Sequence, residues 1–540
     1  MIKIFNFFTF SLVVVLTSTL FSCTHDTKTE EKNTDSITYI APDVTYEIFI
    51  QSFADSDGNG IGDFTGAASK LDYLKELGIE AIWLMPIMPS PSYHKYDVTD
   101  YRNIHPDYGT LEDFKNFVEE AHKRDIQVII DLVINHSSDK HPWFIEAVAN
   151  PNSQYRNYYV WANKDSIADQ IAKKETAFDS DNITQWHAPN GDTTALHYYG
   201  FFTGMMPDLN FDNPELREEI YDIGKFWLIE TGVDGFRLDA AKHIYPDDRQ
   251  ADNTTFWREF LAKMKAIKPD VYTVGEVWAN APTVSEFVPG FRALFDFDLA
   301  FSILESVNRQ NITTATISGH GWAIHDSSSF ISTLIQNQEL FKSKNPEFTD
   351  AIFLSNHDQN RYMSFLENNT EKAKLATSIL LTLPGQPYLY YGEEIGMRGK
   401  KPDENIREPF LWSSGSEDFD RTKWINPVYT TDSTVRPMDS QLNDPESMLN
   451  HYKKWIRIRN EYSVLKRGQL EEWIHPDPAL IGYIRKDNTS ELYILHNLST
   501  DEKEIEIEFN GSILEGSGKH KLSGRTLKLE GVSSVILVGN

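Results

Sequence analysis

Gly235-Phe236-Arg237-Leu238-Asp239-Ala240-Ala241-Lys242-His243 decides the fold. The apolar run from Val233 to Leu238 reads as a short buried strand that ends in ionisable residues where it leaves its sheet. In a parallel barrel that is the end at which functional side chains collect. Arg237 and Asp239 are two residues apart, so a strand turns both to one face, and a guanidinium beside a carboxylate favours its ionised form. Alone, such a pair reads as a structural ion pair. Its company argues otherwise. Val128 to His136, Val271 to Trp278 and Ala351 to Asp358 repeat the plan: an apolar strand followed by Asp, Glu, Asn or His. Four such strands are hard to explain as four independent salt bridges.

In this order the four segments resemble the conserved regions of the α-amylase family of glycoside hydrolases, and Met206-Pro207-Asp208-Leu209-Asn210 resembles that family's fifth region. The resemblance covers Tyr39 to Asn540, and the plan is similar to starch-degrading α-amylases that some Gram-negative bacteria carry as surface lipoproteins. Hydrolysis with retention needs two carboxyl groups, one attacking the anomeric carbon and one protonating the leaving oxygen. The resemblance makes Asp239 the nucleophile, held by Arg237, and Glu276 the acid/base. It makes Asp358 the acid that grips sugar hydroxyls. His136 and His357 would hydrogen-bond the same sugar; either could instead be a satisfied barrel histidine. Tyr96 matches the family tyrosine that stacks on that sugar, with Lys95 standing where the family usually has glycine. Lys242 and His243 are implied on the leaving-group side, which favours α-1,4-glucans of starch as substrate; endo action is expected from the resemblance as a whole.

Met206 to Asn210 lies between the forms typical of α-amylases and those of oligo-1,6-glucosidases and neopullulanases, so an enzyme that also accepts α-1,6 bonds is the alternative. A glucan transferase or trehalose synthase would share every catalytic residue, because transfer and hydrolysis differ only in what intercepts the intermediate. A non-enzymatic glucan-binding relative would have lost the acids, which are all present here.

Asp55-Ser56-Asp57-Gly58-Asn59-Gly60-Ile61-Gly62-Asp63 places acceptor oxygens at every second residue of a Gly-rich turn, as a chain wrapping calcium does. It is not an EF-hand, since the twelfth position is Gly66. It resembles the calcium loop after the first strand of some α-amylases, with Asp55, Asp57, Asn59 and Asp63 as ligands and Ile61 giving a carbonyl. The resemblance implies a second calcium on Asn135, Asp208 and the His243 carbonyl.

The 540 residues carry a formal net charge of −29, which argues against nucleic acid or an anionic membrane surface as ligand. Met1-Ile2-Lys3, the apolar run from Ile4 to Leu20 and Leu20-Phe21-Ser22-Cys23 make a secretory signal with a lipoprotein box. The rival, an uncleaved membrane helix, has a run of only about 17 residues, the lower limit for spanning. Cys23 is the single cysteine, which excludes a disulfide framework and points to lipidation. An outer-membrane lipoprotein facing outside follows, possessing a polar tether and, as candidate neighbours, other starch-binding surface proteins.

Alternating strand and helix patterns from Val44 onward predict a (β/α)8 TIM barrel. Its strands start at Val44 to Ile50, Glu80 to Leu84 and Ile126 to Ile134. The rest lie near 233, 271, 292, 350 and 387. After His136 about 95 residues precede the next strand, where such loops usually run about 2–6, so an inserted domain fills the gap. Its aromatics include Trp143, Tyr158, Tyr159, Trp161, Trp186, Tyr198 and Tyr199. The expected division is signal peptide 1–22, tether 23–37, barrel 38–136, insert 137–205, barrel 206–463, and a C-terminal antiparallel β-sandwich 464–540.

Overall fold

The computed structural model describes residues 41–171, 184–317, 322–325, 329–415 and 418–539; the signal peptide, Cys23 and the tether lie outside them. Eight parallel strands form a closed barrel: β1 Thr45–Ile48, β2 Ala81–Leu84, β3 Gln127–Leu132, β4 Gly235–Leu238, β5 Tyr272–Gly275, β6 Ala293–Phe295, β7 Thr349–Phe353 and β8 Gln386–Tyr390. Each pairs with its neighbours in sequence, and β1 closes the ring by pairing with both β2 (Thr45 opposite Ala81) and β8 (Thr45 opposite Tyr388). These strands read as short apolar runs because both faces are covered, one by helices and one by the barrel interior.

Inside, Gln386, Thr45, Tyr272 and Tyr388 form a hydrogen-bonded layer. Next to it Phe295 meets Tyr388 and Phe353 edge to face, and Trp83 lies edge to face with Tyr388 and tilted against Phe295. The guanidinium of Arg237 lies 5.2 Å over the Trp83 ring, so the first charged layer rests on an aromatic floor. Gly235 is forced by this closeness: a Cβ there would sit 2.1 Å from the Tyr272 carbonyl oxygen on β5.

Outside, the helix Leu111–His122 starts with a complete capping box between Thr110 and Asp113 and buries Phe114, Phe117 and Val118. Pro214–Phe226 starts from the Asn213 cap and runs on as a π-turn to Thr231. Met448–Glu461 is the last long helix. A hairpin of Thr314–Ile317 and Trp322–His325 follows the helix Phe297–Arg309, and the sequence pattern had given no sign of it.

Between β3 and β4 lies a three-stranded antiparallel sheet of Trp161–Ala162, Trp186–His187 and His197–Tyr199. Phe144 packs on Tyr159, Trp161 and Tyr198, so much of the aromatic richness of this insert is its own core. Bridges from His136 to Asp208 and from Tyr159 to Leu209 stitch it to the end of β3.

The C-terminal part begins as a sheet at Gln469, five residues later than expected, because Ser463–Arg467 is still helical. A five-stranded and a three-stranded antiparallel sheet share an apolar cluster of Leu480, Leu495, Ile507, Leu527, Leu529, Val535 and Leu537.

Candidate active site

Arg237, on β4 and 1% exposed, is the centre of the barrel's C-terminal end. Its Nη1 donates to Asp239 Oδ1 at 2.7 Å and to both carboxylate oxygens of Asp131 on β3 at 3.0 and 2.9 Å. Its Nη2 donates to Glu276 Oε2 at 2.5 Å, just past β5. One guanidinium therefore fixes three carboxyl groups from three strands. Beyond Asp239 the chain turns through Ala240, whose φ of 47° lies in the left-handed region, an uncommon conformation for a residue with a Cβ. That turn brings the Ala240 N–H to Glu276 Oε2 at 3.2 Å.

Burial raises the Glu276 carboxyl to about 8; Arg237 opposes this, and Asp239 and Asp358 add to it. It therefore holds its proton at neutral pH, as a proton donor to a leaving group must. Burial also raises Asp131, to about 7, against the pull of Arg237.

Opposite stands Asp358, just beyond β7. Its Oδ2 is 3.0 Å from His357 Nε2, and its Oδ1 accepts from Arg407 Nη2 at 3.0 Å. Although burial pushes its carboxyl up, His357 and Arg407 outweigh that and hold it well below the usual carboxylate range. The Tyr96 ring stacks on His357 at 5.5 Å and 11°, and its hydroxyl donates to Asp131 Oδ2 at 3.1 Å. Lys95 takes up the left-handed conformation, φ 66°, so the loop keeps the shape that a glycine there would allow.

Asp239, Glu276 and Asp358 line one cleft of about 500 Å3, together with Tyr96, His136, Lys242, His243 and Arg407. Phe202, Met205, Met206 and Trp278 give it an apolar wall. His136 Nε2 is buried with no hydrogen-bond partner among the described residues, which leaves it available to a ligand. Burial lowers the pKa of this ring.

The family model for the α-amylase catalytic domain matches residues 47–468, and that for the C-terminal domain of the α-amylase SusG matches 480–536. The chain belongs to the α-amylase family of glycoside hydrolases. It is 45% identical to α-amylase 3 of Dictyoglomus thermophilum over 87% of each chain. It is 36% identical to a 4-α-glucanotransferase of Thermotoga maritima, over 85% of this chain and 96% of that one. The crystal structure of an α-amylase from H. orenii superimposes with a TM-score of 0.82 at 40% identity, covering 92% of this chain and 99% of that one.

As a member of the α-amylase family the chain can be tested for cation sites. Asp55, Asp57 and Asp63 each bring a carboxylate oxygen within 4.8 Å of the others, so the loop fits a hard cation. Asp63 also caps the helix Phe64–Ser69 through the Gly66 N–H, and Asn59 Oδ1 accepts from Ile61 N at 2.7 Å. At the second place, the Leu209 N–H bonds to the Asn135 carbonyl and sets Asn135 beside Asp208. Asn135 Oδ1 is buried without a hydrogen-bond partner among the described residues. Burial raises Asp208 to about 7, against hydrogen bonds from Phe201 and Asn135. Phe201 in turn stacks on the ring of His243, 4.1 Å between centroids. An orphaned amide oxygen beside a buried acid fits a cation.

Three charged residues of this α-amylase site were missed in the sequence: Asp131, Glu47 and Arg407. Asp131 and Glu47 stand inside the apolar runs of β3 and β1, where a charge in a buried strand was itself a signal. Arg407 comes from the long segment after β8, 49 positions beyond Asp358, and nothing local marks it.

Proposed function

We propose that the protein is a retaining, calcium-dependent α-amylase that cleaves α-1,4-glucosidic bonds within starch and related α-glucans. The arrangement around Arg237 carries this reading: Asp239 and Glu276 meet on one guanidinium that Asp131 also shares, and Glu276 keeps its proton at neutral pH. Asp239 attacks the anomeric carbon while Glu276 gives its proton to the departing glycosidic oxygen, leaving a glycosyl ester on Asp239. Glu276, now a carboxylate, takes a proton from water as that water attacks the ester, which restores both acids. Asp358 binds sugar hydroxyls, held by His357 and Arg407. Tyr96 stacks on the same sugar and His136 bonds it through Nε2. Lys242 and His243 line the leaving-group side.

Asp55, Asp57, Asn59, Asp63 and the Ile61 carbonyl would hold one calcium, and Asn135, Asp208 and the His243 carbonyl another. The second would tie the insert to the end of β3, giving structural support with no part in bond cleavage.

The apolar wall of Phe202, Met205 and Met206, with Met205 59% exposed, supports a second reading, transfer of the glycosyl group to a sugar acceptor in place of water. Proton NMR of products from amylose, pullulan and maltotetraose tests both readings. Retention predicts the α anomer first, α-1,4 preference predicts cleavage of amylose, and transfer predicts chains longer than maltotetraose. A β product rules out the double displacement. Signal peptide 1–22, Cys23 lipidation and tether 23–37 support an outer-membrane lipoprotein facing outside, beside other starch-binding surface proteins.

A further inference from the structure

Glu47 lies inside the barrel on β1 and is 1% exposed. Its Oε1 is 2.5 Å from His357 Nδ1. The other ring nitrogen, Nε2, is 3.0 Å from Asp358 Oδ2 and 2.5 Å from the Tyr96 hydroxyl. His357 is fully buried, so one imidazole stands between two carboxylates away from bulk solvent. A neutral imidazole has a single N–H and can donate to one of them; only the imidazolium donates to both.

We infer that Glu47 is a positioning residue: it holds His357 in the doubly protonated form, so that the charge on the ring keeps Asp358, 3.0 Å from Nε2, aimed at the sugar. The inference rests on the reading of Asp358 and His357 as sugar-holding groups.

The groups around the ring fit this role. Trp83 on β2 presents its ring edge-on at 5.5 Å, and Tyr96 covers one face from the loop after β2. Asp131 on β3 and Glu276 beyond β5 lie within electrostatic reach of the imidazole, but burial raises them to about 7 and about 8, so below neutral pH the negative charge facing the ring comes from Asp358 and Glu47. Arg237 on β4 is engaged by Asp131, Asp239 and Glu276. Arg407 donates through Nε to the His357 carbonyl and through Nη2 to Asp358, and Asp403 Oδ2 lies 3.5 Å from the same Nη2, so two acids face its charge. Burial alone would lower the His357 pKa, but Asp358 and Glu47 outweigh it and raise it to about 10. The ring therefore stays charged through and above the ordinary histidine range and loses its charge only as pH rises through about 10. Without Glu47 one of its two anionic partners is gone, and the loss moves to lower pH.

Glu47→Gln isolates the charge, since the amide oxygen still accepts from Nδ1–H in a side chain of the same size. We would measure kcat/KM on a maltooligosaccharide against pH for both proteins, with histidine-selective 15N NMR of the full chain and His357→Asn to assign the signal. The ratio of wild type to Glu47→Gln should rise at least about tenfold between about pH 5.5 and pH 8. Over the same interval the His357 ring should lose a proton in the variant alone. A ratio that does not change with pH, as a packing role would give, overturns the inference, and so does a ring still doubly protonated at pH 8 in the variant. Wild type inactive on every α-glucan would instead overturn the functional reading, with the NMR titration still judging the Glu47 claim.

Discussion

Arg237 shows why chemistry was legible at single residues. A strand that ends in Arg-x-Asp turns both side chains to one face, and the structure joins them at 2.7 Å. Asp239, Glu276 and Asp358 were found the same way, each just past the end of an apolar run. Glu276 leads to a prediction. Its raised pKa of about 8, set first by burial, means that the proton donor is present below that pH and lost above it. The alkaline limb of kcat/KM on amylose should therefore fall through about pH 8. For Glu276→Gln, fluoride release in a single turnover from an α-glycosyl fluoride, whose leaving group needs no proton, should lack that limb; an unchanged limb would assign it to another group. Asp131 and Glu47 escaped the sequence reading because their partners come from other strands. No spacing in one strand tells which charge faces it across a barrel.

At the scale of elements, the eight strands were readable because a doubly covered parallel strand must be apolar throughout. The capping box at Thr110 and the Asn213–Pro214 start gave two helices their beginnings. The hairpin after Arg309 was not readable, since Thr314–Ile317 is short and its pairing lies outside the barrel. The insert was placed by elimination, and its aromatics proved to pack on one another. It shares the barrel's apolar core through Phe144, Tyr159 and Tyr198, and polar groups tie the end of β3 to the chain just after it: the Asn135 carbonyl, the Leu209 N–H and the buried Asp208. If a calcium ion neutralises Asp208, Asp208→Ala should lose one ion by elemental analysis and melt several degrees lower, as should the wild type with a strong chelator. An unchanged melting temperature with less than one calcium per chain would rule out both cation sites.

For the whole molecule, a net charge of −29 gives an acidic surface suited to a neutral polysaccharide and unsuited to anionic lipid. The proposed anchor is therefore the lipid on Cys23. Cys23→Ala should shift the protein from the membrane fraction to the soluble one, and retention in the membrane would revive the uncleaved helix. The central claim is that Asp239 forms a covalent glycosyl ester that Glu276 then helps to hydrolyse. An α-maltosyl fluoride given to Glu276→Gln loads Asp239 without needing the acid, and the missing base stops its release. Intact-mass and peptide analysis of that mixture should find one maltosyl group per chain, on the peptide carrying Asp239. A label on another residue, or no label while a β product accumulates, would contradict the account.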